Sequence, residues 1–178
     1  MDLSTTYLGL RLPHPLVAGA SPLSDDAGAA AIVLRSLFEE QITREQLAEY
    51  LNLDYPGESF AEATSYFPSL HTYALGPHQY LEHLRRAKAA VNIPIIGSLN
   101  GTTPGGWLDY AHMMEEAGAD AVELNIYRIA TNPDTTSAEI EGQTIDTVRE
   151  VRHLVTIPVA VKLSPFYAAL ALAFILWS

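Results

Sequence analysis

One lysine interrupts an apolar run near the end of the chain, in the stretch IPVAVKLSP at positions 157–165. The run is typical of a buried strand, so Lys162 would carry a positive charge into or beside the core. A lysine in such a place can pair with a buried carboxylate such as Glu123, can act as a cationic donor to an electron-rich ligand atom, or can form a Schiff base with a carbonyl. The stretch by itself leaves all three roles open.

Two other apolar stretches, IPIIGSLNG at 93–101 and DAVELNIY at 120–127, also become polar towards their ends. Side chains alternate between the two faces of a strand, so the polar residues of all three stretches are predicted to share one face. That face would carry Ile96, Ser98 and Asn100, then Glu123, Asn125 and Tyr127, and finally Ala160, Lys162 and Ser164. Together with Lys162, the amides of Asn100 and Asn125 could hold a planar heterocycle through its carbonyl or ring-nitrogen acceptors.

The elements that would position these residues alternate between strands and helices. Further strand-like runs occupy 15–21 and 29–37, and apolar residues recur at helical spacing over 106–117 and 137–153. Thr136 and Glu139 have the spacing of a capping box at the start of the second helix. This alternation predicts an α/β fold with a parallel sheet and helices outside it.

Two internal similarities indicate repeated strand–helix units. VNIPIIGSLNG at 91–101 resembles VTIPVAVKLSP at 155–165, and DAGAAAIV at 26–33 resembles EAGADAVE at 116–123. In each AGA the glycine suits the left-handed cap of a helix that turns directly into a strand. Repeats at this spacing favour a β/α barrel or a doubly wound sheet.

The predicted barrel is incomplete. Only SPLSDDAGA, at 21–29, separates the first two strands, whereas a parallel crossover needs roughly a dozen residues, so the first barrel helix is predicted to be missing. A closed barrel also has more strands than the five found here. We predict one partial β/α-barrel domain over residues 1–178. Three explanations stay open: the chain is a fragment, other chains complete the barrel by association through its open strand edges, or the sheet is an open one.

Composition argues against several partners and chemistries. The formal net charge is -11 with only 10 Lys and Arg residues, which disfavours binding to nucleic acid or anionic lipid. The absence of cysteine excludes disulfides and thiolate chemistry, and the six histidines lack HxxxH or HxH spacing, so no metal site is predicted. The N-terminus lacks a secretory pattern, and the apolar stretch at 166–178 is shorter than the ~20 residues of a membrane span. We expect a cytoplasmic protein whose last stretch is a buried helix.

Three further features of the sequence carry weaker signals of function. The glycine-rich NGTTPGG at 100–106 could present amides to an anion, but a plain turn is favoured. Ser36, Ser98 and Ser164 are predicted to be hydrogen-bonding strand residues rather than nucleophiles. The segment 43–85, rich in tyrosine, proline and acids, is too long for a normal βα loop and could form a short helix and a cover over the site.

Four stretches in this order, TTYLGLRLPHPLVAGASPLS, IPIIGSLNG, GADAVELNIY and IPVAVKLSP, resemble the FMN-dependent dihydroorotate dehydrogenase family, especially its class 1 and dihydroorotate dehydrogenase-like members. The resemblance covers most of residues 4–167 and implies the N-terminal portion of a (β/α)8 barrel of the TIM type. It also implies an oxidoreductase acting on a CH–CH group in pyrimidine biosynthesis, with FMN across the C-terminal mouth accepting hydride from a dihydropyrimidine.

The resemblance assigns roles to individual residues. Lys162 would lie at the N1/O2 edge of the flavin and stabilise the negative charge of its reduced form, with Asn125 as the second catalytic residue. The cofactor-binding residues would be Ala18, Gly19 and Ala20 through their backbone, Arg35 and Ser36 in place of the family's Lys-Ser pair, and Asn100, Asn125 and Lys162. Asn100, Asn125 and, more loosely, Asn132 would bind the substrate, a small molecule such as dihydroorotate or an analogue.

The chain also departs from the family pattern. Arg128 stands where the family has its proton-abstracting Cys or Ser, and an arginine cannot be a neutral base. The strands whose loops hold the FMN phosphate in the family have no counterpart here. Two alternatives therefore remain open, a non-catalytic fragment or association partner that binds no flavin alone, and a flavin-free barrel that binds a sugar phosphate.

Overall fold

A parallel sheet curled into half a barrel, with helices beside it, forms the main part of the described chain. The computed structural model describes residues 2–19, 28–44, 47, 76–101, 108–126 and 131–163. This architecture confirms the predicted fold class, an incomplete α/β barrel of the TIM type with five strand positions. Residues 20–27, where the first barrel helix is predicted to be missing, lie outside the described ranges.

The strands and helices are numbered in chain order. The strands are β1 (Thr5–Tyr7), β2 (Leu10–Leu12), β3 (Val17–Ala18), β4 (Ala31–Val33), β5 (Leu37–Phe38), β6 (Ile95–Asn100), β7 (Ala121–Ile126) and β8 (Val159–Leu163). Residues 39–44 are helical and are called α1, and the other helices are α2 (Pro77–Ala90), α3 (Asp109–Glu116) and α4 (Ser137–Leu154). From α2 onwards helices and strands alternate, as predicted for an α/β fold.

Five strand positions lie side by side in the order β3, β4, β6, β7 and β8, and all neighbours are parallel. β5 pairs with the end of β6, so it continues the position that β4 begins. Because parallel strands point the same way, the C-terminal ends of all of these strands meet at one edge of the sheet. Residues at that edge can therefore contribute to a common site.

A β-bulge separates β4 from β5. Val33 is in register with Ile96, and Leu37 is in register with Leu99. Three residues, 34–36, therefore face only two residues of β6, and one extra residue in one strand is the defining feature of a bulge. The sequence predicts one continuous strand here, and the structure divides it into two.

Local signals at the helix ends agree with the sequence. Thr136 Oγ1 accepts a hydrogen bond from the Glu139 N–H, and Glu139 Oε2 accepts one from the Thr136 N–H, which confirms the predicted capping box of α4. The two AGA glycines, Gly118 after α3 and Gly28 before β4, have φ angles of 97° and 60°. Both lie in the left-handed region, as predicted for these positions.

The main hydrophobic core lies between the sheet and the helices. The strands β6 and β7 direct alternate side chains into it, and these are the buried residues Ile95, Leu99, Val122, Leu124 and Ile126. The helices α2 and α3 supply Tyr80, Leu81, Leu84, Ala111 and Met114, while Val159 and Val161 of β8 pack against the same core. The predicted division of each strand into an apolar face and a more polar face is therefore present in β6, β7 and β8.

Helix α2 occupies the end of the long segment 43–85, for which the sequence predicts only a short helix and a cover. The helix has 14 residues and starts with Pro77, whose missing N–H is tolerated in a first turn. Its buried residues Tyr80, Leu81 and Leu84 face the sheet. Residues 48–75, which make up most of the predicted cover, lie outside the described ranges.

The strands β1 and β2 form an antiparallel hairpin apart from the parallel sheet. Its two turn residues, Leu8 and Gly9, have φ angles of 53° and 73°, and positive φ at both positions is typical of a type I′ turn. Leu12 is buried together with Ala30 and Ala31 at the start of β4. The hairpin therefore packs at the N-terminal end of the sheet, away from the edge where the polar residues lie.

A carboxylate of α3 holds the connection that leads into β8. Glu115 Oε1 accepts hydrogen bonds from the backbone N–H groups of Thr156 at 3.0 Å and Ile157 at 3.2 Å, and from the Thr156 hydroxyl. These bonds, with that of the Thr156 hydroxyl first, hold the pKa of Glu115 below its ordinary value. Glu115 should therefore contribute to the stability of the folded state as a charged group.

Replacing Glu115 by glutamine should lower the free energy of unfolding at neutral pH by about 1–2 kcal/mol, because a charged acceptor of three hydrogen bonds becomes a neutral one. The contribution is complete above the ordinary pKa of a glutamate and is lost as the pH falls through the lowered pKa of the folded state. Urea denaturation should therefore separate the two proteins near neutral pH and bring them together once the pH has fallen below the lowered pKa of Glu115 in the folded state. Glu116→Gln, which removes the same charge at a more exposed side chain, is the control, and an equal loss in both variants would contradict the prediction.

Candidate functional site

The C-terminal ends of β6, β7 and β8 bring three predicted site residues into one row. Asn100 is in register with Asn125, and Asn125 is in register with Lys162. All three lie on the face opposite the helices, because their neighbours along the strands face the main core. Adjacent strands are roughly 4.8 Å apart, so these side chains can contact a single bound molecule. This set of three residues is called the mouth row.

The face that carries the mouth row changes in character along the strands. At the beginning of the strands it is apolar and closed, since Ile96 and Ala121 are buried. Further along, Ser98 is buried and Glu123 is half-buried, and in the mouth row the two asparagines are half-buried while Lys162 is exposed. Polar groups thus become accessible towards the C-terminal edge, as predicted.

The position of Lys162 bears on the roles that its sequence leaves open. Glu123 is in register with Ala160, so it lies one layer below Lys162 and on the neighbouring strand. Among the ion pairs formed by the described residues, none joins Lys162 to Glu123. A simple buried ion pair therefore does not account for this lysine, and an exposed ammonium group beside two amides suits contact with a ligand.

An aromatic residue extends the mouth row, and the sequence does not single it out. Phe38 is in register with Asn100 and is 44% exposed. Its neighbour Leu37 faces the core opposite Leu99, so Phe38 lies on the same face as the mouth row. Only the register beyond the 34–36 bulge reveals this, because an unbroken strand would turn Phe38 to the other face. An exposed aromatic ring beside amides is suited to packing against a planar ring.

A small polar network lies beneath the mouth row. The Oγ atoms of Ser36 and Ser98 are 2.8 Å apart, and the Ser98 hydroxyl donates to Oε1 of Glu123 at 3.4 Å. Ser98 is 1% exposed, and the other two residues are half-buried. Ser36 in the bulge and Ser98 in β6 are thus hydrogen-bonded to each other, and through Ser98 the network connects the bulge to the carboxylate of Glu123.

The hydroxyl of Tyr80 completes the hydrogen bonding of β6 opposite the bulge. The Ser98 N–H donates to the Tyr80 hydroxyl at 3.0 Å, and this hydroxyl donates to the Ser98 carbonyl oxygen at 3.4 Å. Burial raises the pKa of Tyr80, the hydrogen bond with Ser98 opposes this, and the negative charge of Glu123 adds to the increase. Tyr80 therefore stays protonated and can act as donor and acceptor at once.

The predicted flavin-facing backbone begins at the end of β3. The side chain of Ala18 packs against the main core, so Ala18 can face the inner side only through its backbone. Gly19 is exposed, and a side chain added there would meet no atom within 4 Å, so a flat molecule has room to approach. Ala20 lies outside the described residues.

Two other predicted binding residues lie apart from the mouth row. Arg35 is exposed in the bulge, next to Ser36. Asn132 is exposed in the connection between β7 and α4, where its Oδ1 accepts the N–H of Asp134 at 3.0 Å and so forms a local turn. The structure therefore shows a turn-forming role for Asn132.

Several predicted features lie in ranges that the structure does not describe. These are Tyr127, Arg128, Ser164, most of the glycine-rich NGTTPGG stretch and the apolar stretch at 166–178. Within the described ranges, no three His, Asp or Glu side chains are grouped as a metal site would require. The helices of the same ranges include none with the length and apolar character needed to cross a membrane.

Several curated proteins similar to this chain are dehydrogenase subunits, although no family model matches it. The chain is 28% identical over 183 residues to the catalytic subunit of dihydroorotate dehydrogenase B (NAD(+)) from Thermoplasma acidophilum, covering 92% of this chain and 55% of that protein. The corresponding subunit from Methanosarcina mazei is 26% identical over 92% of this chain and 52% of that protein. The NAD-dependent dihydropyrimidine dehydrogenase subunit PreA of Escherichia coli is 25% identical over 92% of this chain and 42% of that protein.

These matches confirm the predicted resemblance to the dihydroorotate dehydrogenase family. The chain spans about half the length of the curated relatives it matches. Among solved structures, dihydrodipicolinate synthase DapA-2 from Bacillus anthracis superposes with a TM-score of 0.45 at 13% identity, over 82% of this chain and 44% of that chain. That level of similarity is too low to bear on function.

Proposed function

We propose, from the similarity to catalytic subunits of dihydroorotate dehydrogenase B, that this chain is a single partial β/α-barrel domain of an FMN-dependent oxidoreductase. The proposed reaction is hydride transfer from dihydroorotate or a similar small planar molecule to the flavin. The observation that carries the proposal is the mouth row, where Asn100, Asn125 and Lys162 stand side by side at the C-terminal ends of three adjacent strands. In α/β folds, this edge of the sheet is where ligands bind.

The residues at this edge fit a flavin in their chemistry. Two amides and an ammonium group supply donors and acceptors for the polar edge of a heterocycle, and Phe38 supplies an aromatic surface beside them. The open space at Gly19 allows a flat ring system to approach the backbone. FMN, when bound, would supply the site with its hydride acceptor.

The proposed roles of the protein residues follow from their charge and position. Lys162 would hold the electron-rich edge of the ring with its ammonium group and stabilise negative charge that develops there. The amides of Asn100 and Asn125 would orient the ring and a small planar substrate through paired hydrogen bonds. We also propose that other chains, including copies of this one, complete the barrel by association through the edges of β3 or β8. The proposed compartment is the cytoplasm.

The identity of the proton acceptor separates this chain from the family pattern. Arg128 occupies the position of the family's Cys or Ser and cannot accept a proton at neutral pH. If the substrate is dihydroorotate, a group other than the side chain at this position must therefore accept the proton. For this reason the proposal specifies the chemical class of the substrate and leaves dihydroorotate as one member of it.

Titration of the purified chain with FMN, followed by absorbance and by quenching of flavin fluorescence, tests the proposal. We expect a saturable change in these signals, because a bound flavin exchanges contacts with water for contacts with Phe38 and the strand backbone. Riboflavin, which lacks the phosphate, is the control for recognition of the ring alone. Absence of any change in absorbance or fluorescence at saturating FMN would contradict the flavin proposal and would favour the alternative of a non-catalytic partial barrel.

A further inference from the structure

The polar network beneath the mouth row has a defined direction of hydrogen bonding. A carboxylate accepts hydrogen bonds and does not donate them, so the hydroxyl proton of Ser98 is directed to Glu123. Serine has one hydroxyl proton, so Ser98 can only accept in its 2.8 Å bond with Ser36. Ser36 must then be the donor in that bond. With its proton directed inwards, Ser36 has only acceptor lone pairs left for a molecule at the mouth.

Ser98 is a rigid middle member of this network. Its side chain is 1% exposed, and both polar groups of its backbone are hydrogen-bonded to the buried hydroxyl of Tyr80. The strand therefore cannot rotate or shift Ser98 without breaking buried hydrogen bonds. The negative charge of Glu123 also raises the pKa of Tyr80 and, after burial, that of Tyr7, which agrees with a carboxylate close to the interior of the half-barrel.

The bulge gives Ser36 its place in the network. In an unbroken strand, the position opposite Ser98 would belong to Arg35, because residues would pair one to one after Val33 and Ile96. The extra residue moves Ser36 opposite Ser98 instead, as their 2.8 Å contact shows. A bulge beside a site is a common way to aim a side chain.

We infer that Ser98 and Glu123 are positioning residues that make Ser36 an obligate hydrogen-bond acceptor, which selects a ring N–H on the molecule bound at the mouth. This inference rests on the proposed function. A lactam-type N–H occurs both on the isoalloxazine ring of a flavin and on a dihydropyrimidine ring, so the chemistry is shared by the two proposed ligands.

The first part of the test uses the protein without ligand. Urea denaturation is measured for Ser36→Ala, for Glu123→Gln and for the double variant, first in the natural chain and then in a Ser98→Ala background. If the network is as described, the two substitutions should be non-additive in the natural chain and additive once Ser98 has lost its hydroxyl. Additivity in both backgrounds would overturn the inference, whether or not the chain binds a flavin.

The second part measures binding. FMN is titrated into the free protein, and orotate is titrated into the protein saturated with FMN, for the same variants. Glu123→Gln should weaken binding of one of these molecules by roughly 10-fold, because a glutamine amide can donate to Ser98 and so lets the proton of Ser36 turn outwards. In the Ser36→Ala background the same substitution should change binding by less than about 2-fold. Ser98→Thr, which keeps the hydroxyl, should retain most of the affinity that Ser98→Ala loses.

The outcomes distinguish FMN from orotate as the molecule that Ser36 contacts. They also distinguish failure of the inference about Ser36 from failure of the proposed function. An effect on FMN alone places the N–H on the flavin, and an effect on orotate alone places it on the substrate. Unchanged binding of both molecules in Ser36→Ala would overturn the inference while leaving the proposed function intact. If the natural chain binds no FMN, the proposed function fails together with the selection of a ring N–H, and the unfolding measurements alone decide whether Ser98 and Glu123 orient Ser36.

Discussion

Replacing Lys162 by methionine should weaken FMN binding by roughly 10- to 100-fold, which corresponds to the loss of a charged hydrogen bond of about 1.5–3 kcal/mol. Methionine keeps most of the length of the side chain and removes the ammonium group, so the change reports on the charge. Lys162 is the cationic member of the mouth row and is exposed at the edge of the sheet. Fluorescence titration with FMN measures the effect.

Two comparisons make the Lys162 result specific. Because the side chain is exposed, its replacement should leave the melting temperature nearly unchanged, so weaker binding cannot be ascribed to unfolding. Arg149→Met removes a positive charge from an exposed position on α4, beside Asp146, and should bind FMN as the natural chain does. Equal weakening in both variants would show that only overall charge matters and would contradict the assigned role.

Replacing Tyr80 by phenylalanine should lower the free energy of unfolding by about 1–3 kcal/mol, because it leaves buried polar groups of the Ser98 backbone without their partner. The ring itself stays in the core, so no cavity is formed beyond the lost oxygen. The amide proton of Ser98 should also exchange faster with solvent, since its acceptor is gone. Urea denaturation and amide hydrogen exchange measure the two effects.

Tyr7→Phe is the control for the Tyr80 substitution. The Tyr7 side chain is 43% exposed, so loss of its hydroxyl should change the stability by less than about 0.5 kcal/mol. A similar small effect at Tyr80 would mean that the β6 backbone finds another partner when the hydroxyl is removed. In that case the bulge would not depend on α2 for its hydrogen bonding.

Period-two alternation was sufficient to predict the mouth row. Once 93–101, 120–127 and 157–165 are assigned as neighbouring parallel strands, the alternation of side chains places Asn100, Asn125 and Lys162 on one face. The capping box at Thr136 could be predicted for a similar reason, because its signal lies within four residues. Features encoded over a few residues of one element are visible in a single sequence.

Features that depend on contacts between distant segments could not be predicted. Nothing in the sequence around Ser36 indicates that it meets Ser98, which is 62 residues away, or that a tyrosine of α2 replaces a strand partner. The bulge has no residue signature of its own, since it consists only of one extra residue in the pairing with β6. Phe38 was missed as a consequence, because its face depends on that register.

The bulge also determines on which face of the sheet each of the residues after it lies. If residues 34–38 paired one to one with β6, without the bulge, Leu37 would lie opposite Asn100 and face the mouth, and Phe38 would face the core. In that register Arg35, instead of Ser36, would lie opposite Ser98. The bulge therefore decides which side chains of this strand position line the site, while the sequences of the strands that carry the mouth row stay the same.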